Sequence, residues 1–236
     1  MSPRTLALAA IAATLVVAAS AAPALARGAR LSSETTFTRW ANAATYSKVY
    51  ARPSRRARQV GRLRLLTEDG FPEVYVLLSE RHARGVEWVR LRLPQRPNGV
   101  TGWVRRGALG PSNLVHTQLV ANYHTLHITL YDHGRRRFRA PIGMGAPGTP
   151  TPTGSFWIRE KFHVSGDTLY GPRAMGTAAY SDVLTDWPGG GVIGIHGTNQ
   201  PWLIPGRPSH GCMRMRNRDI KRLYRQTPIG TPLLIK

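Results

Sequence analysis

Cys212 is the only cysteine in this 236-residue chain, and its neighbours are of types that activate a thiol. His210 stands two positions before it, His196 sixteen before it, and Arg214 two after it. A thiol attacks only as its thiolate, and a free one has a pKa of about 8.5, so a nucleophilic cysteine needs a base or a positive charge nearby. His196 provides the base if the chain folds back on itself, and Arg214 provides charge. Gly211 lets the backbone approach a substrate closely, and N–H groups at Gly211 and Cys212 are candidates to receive a developing oxyanion. The chemistry is nucleophilic catalysis by cysteine.

Two plainer readings compete. A lone cysteine is most often a small buried hydrophobe, but that role calls for no Ser-His-Gly before the thiol and no arginine after it. Two histidines and a cysteine can also ligate zinc. Their spacing here fits no compact Cys/His metal site and no fourth ligand is evident, so neither a metal nor an organic cofactor is expected.

Taken together, His196-Gly197, a spacer, and Ser209-His210-Gly211-Cys212 resemble the signature of the L,D-transpeptidase (YkuD-type) family. Met213-Arg214 continues in the version that carries arginine after an apolar residue. A Gly-rich turn ending Thr151-Pro-Thr-Gly154-Ser-Phe156 is also familiar from that family, so the resemblance runs from about residue 118 to 236. It implies a peptidoglycan stem tetrapeptide as donor. Cys212 would attack the carbonyl of its third residue, D-alanine would leave, and an amine of a second stem would take the acyl group to form a 3→3 cross-link. His196 would accept and return the proton. Gly197, Ser209, His210 and Gly211 would support the loop or the oxyanion, Thr198 would bind substrate, and Arg214 would either bind a substrate carboxylate or brace the loop. Water in place of the amine makes the enzyme an L,D-carboxypeptidase. Wall endopeptidases of the NlpC/P60 type place cysteine before histidine, the reverse of this chain, and the sortase Thr-Leu-x-Thr-Cys pattern is missing.

The charge is extreme, +21 with 29 Arg and 4 Lys, and it is spread through the chain, +10 over residues 28–113 and +9 over 114–236. Such a field attracts nucleic acid, anionic lipid or an acidic polymer. No nucleic-acid recognition motif is present, so an anionic wall polymer is the additional partner the charge allows. A non-catalytic, basic wall-binding protein is the alternative from another class. Residues 1–26 read as an export signal: a positive start at Arg4, an apolar run from Leu6 to Ala22, and Ala24-Leu-Ala26 as a cleavage site. The protein is then expected outside the cytoplasm, in the wall or periplasm, with no stable membrane insertion once the signal is removed. A lone cysteine there has no intramolecular disulfide partner.

The expected fold is mainly β, a small barrel followed by a β-sandwich, with one short helix after the cysteine motif. Residues 27–36 read as a polar linker. From 37 to 110, short strands at Tyr46–Tyr50, Val60–Leu66, Val74–Leu78, Glu87–Leu93 and Val100–Val104 alternate with turns. The pattern Trp88-Val-Arg-Leu followed by Gly102-Trp-Val resembles bacterial SH3-like domains, which implies either wall binding or a rigid support. Gly110–Asn113 reads as the boundary, and 114–236 as the catalytic domain. In it, Leu126–Tyr131 and Arg137–Ile142 flank a hairpin turn at Asp132-His-Gly134, Ser155–Ile158 is a strand, and Val192–Ile195 is a strand delivering His196. The stretch 165–191, rich in Gly and Pro, is either a substrate-side lid or an ordinary connection. Asn217 is placed to cap a helix with Ile220, Leu223 and Tyr224 on one face, ended by Pro228-Ile-Gly230 before a last strand, Pro232–Ile235.

Overall fold

The computed structural model of the chain describes residues 28–165, 168–186 and 188–236. The expected export signal at 1–26 lies outside them. The first seven strands are β1 (Thr38–Asn42), β2 (Ser47–Tyr50), β3 (Gln59–Leu63), β4 (Val74–Ala83), β5 (Val86–Arg92), β6 (Thr101–Arg105) and β7 (Asn113–Val115). They form one sheet in the order β3-β2-β6-β5-β4-β1-β7. Alternation makes the sheet: Val49, Tyr75, Leu77, Val89, Leu91 and Val104 turn to one core while arginines such as Arg90 and Arg105 stay exposed. Arg84 and Gly85, both with positive φ, turn β4 tightly into β5.

Two boundaries differ from expectation. The stretch read as a linker packs along β4: Leu31 N–H donates to Leu78 O (3.0 Å), Glu80 N–H donates to Ala29 O (2.9 Å), and the buried Ser32 hydroxyl donates to Leu77 O (2.5 Å). A polar sequence is no bar to order where backbone groups complete a neighbouring strand. Residues 113–115, of which Asn113 was read as the end of the boundary and 114–115 as the start of the second domain, form β7 and pair with β1 of the first sheet.

The remaining elements are β8 (Thr117–Asn122), β9 (His127–Asp132), β10 (Arg135–Pro141), β11 (Gly143–Gly145), β12 (Gly154–His163), β13 (Arg173–Tyr180), β14 (Val192–His196), β15 (Gly206–Ser209), β16 (Met213–Arg214), α1 (Asn217–Gln226) and β17 (Pro232–Ile235). The ten strands run β10-β9-β8-β17-β12-β13-β14-β16-β11-β15. Strand β12 is the corner, pairing with β17 through Gly154–Trp157 and with β13 through Ile158–His163. The two halves therefore face each other across one core that includes Leu119, Ile128, Phe156, Met175, Ile195 and Met213, closed by Ile220 and Leu223 of α1. Strand β13, Arg-Ala-Met-Gly-Thr-Ala-Ala-Tyr, runs through the stretch read as a single loop. Its small residues lack strand propensity, and burial of a central strand overrides that weakness.

The sheets are joined by polar groups as well as apolar ones. Val74 and Val76 of β4 enter the larger core, and Trp157 Nε1 donates to Val74 O at 2.8 Å. Arg159, 1% exposed, donates to both carboxylate oxygens of the fully buried Glu73 (2.7 and 2.6 Å) and to Glu68 (2.8 Å). Tyr180 Oη donates to Glu68 at 2.5 Å, and Arg64 closes the network onto Glu68 and Glu73. Among the described residues no helix is long and apolar enough to cross a membrane.

Candidate active site

Parallel pairing of β14 with β16 brings the two distant motif pieces together: Ile195 lies opposite Met213, and His196 opposite Arg214. Alternation turns Ile195 and Met213 into the core and leaves His196, Cys212 and Arg214 on the other face. These three line one pocket of about 150 Å³ with Ser209 and His210. Leu169 and Tyr170 wall it on one side; Ser181, Leu184, Gly191, Val192 and Ile193 wall it on another. The stretch 165–191 thus supplies two separate pocket walls with β13 between them.

The half-buried Cys212 sulfur accepts a hydrogen bond from the Gly194 N–H at 3.3 Å. Burial pushes its thiol up from the ordinary value, and that N–H and the Arg214 charge only partly oppose it. His196 is 3% exposed, and its burial brings the imidazole down to about 4, with Arg214 adding to the effect against the bond to Gly197. Its Nδ1 lies 2.6 Å from Gly197 O. A carbonyl oxygen can only accept, so Nδ1 carries the proton and Nε2 is left as the basic nitrogen. Both members of the pair are therefore neutral at pH 7. The Tyr170 ring covers the imidazole, centroids 4.8 Å apart.

Arg214 is 7% exposed, yet its only hydrogen bond among the described residues is a long one of 3.4 Å to Gln200 Oε1, and its Nε has no partner. A buried guanidinium left short of acceptors is costly unless an anion completes it.

The loop before Cys212 is held from beneath. Ser209 Oγ donates to Cys212 O at 2.6 Å and accepts from Gly211 N–H at 3.1 Å. Gly211, expected as an oxyanion donor, therefore has its N–H committed to Ser209. Its glycine character is needed instead for a φ of +124° and because a Cβ would lie 2.7 Å from Ile193 Cδ1. The Gly-rich turn supplies further struts: Thr151 Oγ1 donates to Gly211 O at 2.7 Å and accepts from Gly145 N–H at 2.9 Å.

Two other expectations change. Thr198, expected to touch substrate, is 1% exposed and its hydroxyl accepts from Gln200 N–H at 3.0 Å, which makes it a turn former. Asn217 does not cap α1; the N-cap position is Arg216, without a side-chain bond. Asn217 Oδ1 instead accepts from Thr198 N–H at 2.9 Å, bracing the turn that carries Gly197 against the helix. His210, in contrast, is exposed at the pocket rim. Gly194, Thr151 and Leu184 were not singled out from sequence as site residues, although Thr151 sat in the Gly-rich turn; Tyr170 belongs to the stretch read as a lid or an ordinary connection. Among the described residues no group of three or more His, Cys, Asp or Glu is placed to hold a metal ion.

A family model for the L,D-transpeptidase catalytic domain matches residues 116–235. The probable L,D-transpeptidase YbiS of Escherichia coli is 30% identical over 135 residues, covering 50% of this chain and 44% of its own length. The probable L,D-transpeptidase ErfK/SrfK of the same species is 48% identical over 110 residues, covering 40% of this chain and 36% of its own. The chain thus spans less than half the length of these two relatives. Among solved structures, the E. faecium L,D-transpeptidase catalytic domain aligns at 25% identity and TM-score 0.37 over 51% of this chain and 96% of that one. An L,D-transpeptidase from Mycobacterium tuberculosis aligns at 20% identity and TM-score 0.44 over 69% and 90%.

Proposed function

The chain belongs to the L,D-transpeptidase catalytic-domain family through residues 116–235, and on that premise we propose that Cys212 is its acylated nucleophile. The substrate class is the peptidoglycan stem peptide, and the protein works outside the cytoplasm, residues 1–26 serving as its export signal. The observation that carries this reading is the shared pocket of Cys212, His196 and Arg214, with a neutral imidazole whose Nε2 is free to act as base.

As Cys212 Sγ attacks the carbonyl of the third stem residue, its proton passes to His196 Nε2. The imidazolium then protonates the departing D-alanine amine, leaving a thioester. The amine of a second stem attacks the thioester, gives its proton to His196, and releases the thiol with a 3→3 cross-link formed; water in that step gives a trimmed tripeptide. A pair that rests neutral becomes charged only during attack, when Arg214 favours the thiolate. The Cys212 N–H takes the place of the committed Gly211 N–H as the oxyanion donor, with Gly194 N–H beside the sulfur. The under-used guanidinium of Arg214 receives a substrate carboxylate. Residues 37–110 act as an SH3-like module, a reading supported by the β5–β6 hairpin that pairs Trp88 with Arg105.

The test is intact-mass measurement after incubation with a carbapenem, whose strained acyl group a thiolate captures. An adduct on the wild type and none on Cys212→Ala is expected, followed by turnover of stem tetrapeptides to separate transfer from hydrolysis. A folded, reduced wild type that takes no adduct sinks the reading and favours a non-catalytic wall-binding protein.

A further inference from the structure

We infer that Arg96 and Asn98, on the β5–β6 connection of the N-terminal sheet, are positioning residues for the substrate pocket of the C-terminal one. Their target is the segment from Tyr180 to Gly191, which supplies Ser181, Leu184 and Gly191 to the wall of the Cys212 pocket. Arg96 spends its guanidinium on that segment's main chain. Nε and Nη2 donate to Ser181 O at 3.2 and 3.1 Å, and Nη2 also faces Leu184 O at 3.1 Å and Gly190 O at 2.9 Å. Its guanidinium carbon Cζ lies 5.0 Å from the centre of the Tyr180 ring. Asn98 completes the grip by pairing both ways with one residue: Nδ2 donates to Tyr180 O at 2.8 Å and Oδ1 accepts from Tyr180 N–H at 3.0 Å.

The segment is wound closely around the arginine. Ser181 N–H donates to Gly191 O at 2.8 Å, closing the ends of the loop, and Gly191 has a φ of +75°. A Cβ there would lie 2.0 Å from Leu184 O and 2.7 Å from Arg96 Nη2. Carbonyl oxygens that converge on one point repel unless a donor sits among them, so removing Arg96 leaves this arrangement without its centre. The loop leads directly into β14, whose Gly194 N–H touches the nucleophile. The N-terminal sheet is by this geometry a part of the substrate site, whatever else it binds. The C-terminal strands hold Cys212, His196 and Gly194 through their own pairing, so the clamp governs the wall more than the reacting groups.

This inference rests on the proposed function for its kinetic arm but not for its structural one. Wild type, Arg96→Ala, Arg96→Lys and Asn98→Ala would be compared as full chains. Hydrogen exchange is read at the amides of 181–186 and 191–194, carbapenem adduct stoichiometry counts competent sites, and saturation kinetics separate KM from kcat. Expected for Arg96→Ala are faster exchange confined to 181–186 and 191, full adduct stoichiometry, and a KM raised about tenfold, the equivalent of one lost charged hydrogen bond, with kcat within about threefold. Arg96→Lys, a single-point donor, falls between. Unchanged exchange at 181–186 and 191 overturns the inference even if the wild type is inert to carbapenem. With a reactive wild type, an unchanged KM overturns it too, as does a loss of adduct stoichiometry that tracks global unfolding.

Discussion

Among the described residues two arginines are buried, and they live in opposite conditions. Arg159, at the junction of the two sheets, has a bidentate carboxylate from Glu73 and a second acid in Glu68, and it carries its charge well above the ordinary guanidinium value because of them. Arg214, in the pocket, has among the described residues no partner for its Nε and one long bond to a neutral amide. Both are desolvated; only one is compensated. A buried ion whose partners lie within the fold does its work in holding the fold. One whose partners are missing from the fold keeps capacity for an anion that arrives from solution, and here it also biases the thiol and imidazole beside it. Five experiments press on that contrast and on the charges around it.

The largest effects are expected at the reacting pair. Cys212→Ala should abolish the carbapenem adduct and stem-peptide turnover, and His196→Ala should slow acylation by roughly 100-fold or more, both with circular dichroism and thermal midpoints near wild type. A His210→Ala variant as slow as His196→Ala, in folded protein, would move the base from His196 to His210. Next, Arg159→Ala should cost about 3–5 kcal/mol in urea unfolding, since it leaves the buried Glu73 with only the partly exposed Arg64 as a charged partner. Arg214→Met should do the reverse, raising KM about tenfold through a lost charged hydrogen bond while leaving the melting temperature equal or higher. If Arg214→Met destabilises the protein as Arg159→Ala does, the contrast between the two arginines collapses.

The pH dependence is the finer probe. His196 has its imidazole at about 4 when folded. Acylation should therefore not fall between pH 7 and about 5, and should drop as the imidazole protonates near 4. A fall centred near 6.5 would mean an exposed, ordinary histidine is the base. Stability has two opposing contributions. Between 4 and 6.5 the unfolded chain binds more protons at His196 than the folded one does, so this group's contribution rises with pH. Burial raises Glu160 to about 7, against contributions from Thr67 and Arg159, and its Oε1 has no partner. Between 4.5 and 7 the folded chain therefore binds more protons there, and stability falls as pH rises through 7. Glu160→Gln, which can still accept from Thr67 Oγ1, should remove that fall, measured as urea midpoints at pH 5 and pH 8; an unchanged slope would show Glu160 ionised throughout.

The residues proposed to react were legible because their information is local. Ser209-His210-Gly211-Cys212 and His196-Gly197 form recognisable words, and alternation marks Val192–Ile195 as a strand that must deliver His196. Asn217 shows the limit of such reading. Its position suited a helix cap, but the loop after His196 comes to lie beside it and takes the side-chain oxygen. Thr198 is similar, a hydroxyl claimed by its own turn before any substrate could use it. Strand β13 was hidden because Ala and Gly carry no strand signal, and only the flanking β12 and β14 make a strand of it.

The sequence alone determined the nucleophile motif, the excess of positive charge, the β-rich character of both halves and the position of the helix, since each is written within a few neighbouring residues. Only the tertiary structure decided which arginine is satisfied and which is not, which histidine is buried, and which N–H groups remain to meet a substrate. It also decided that Arg96, 94 positions before Gly190, reaches the pocket wall. Those properties depend on which groups meet across the sheets after folding, and desolvation and hydrogen bonding act through that proximity, not through order along the chain.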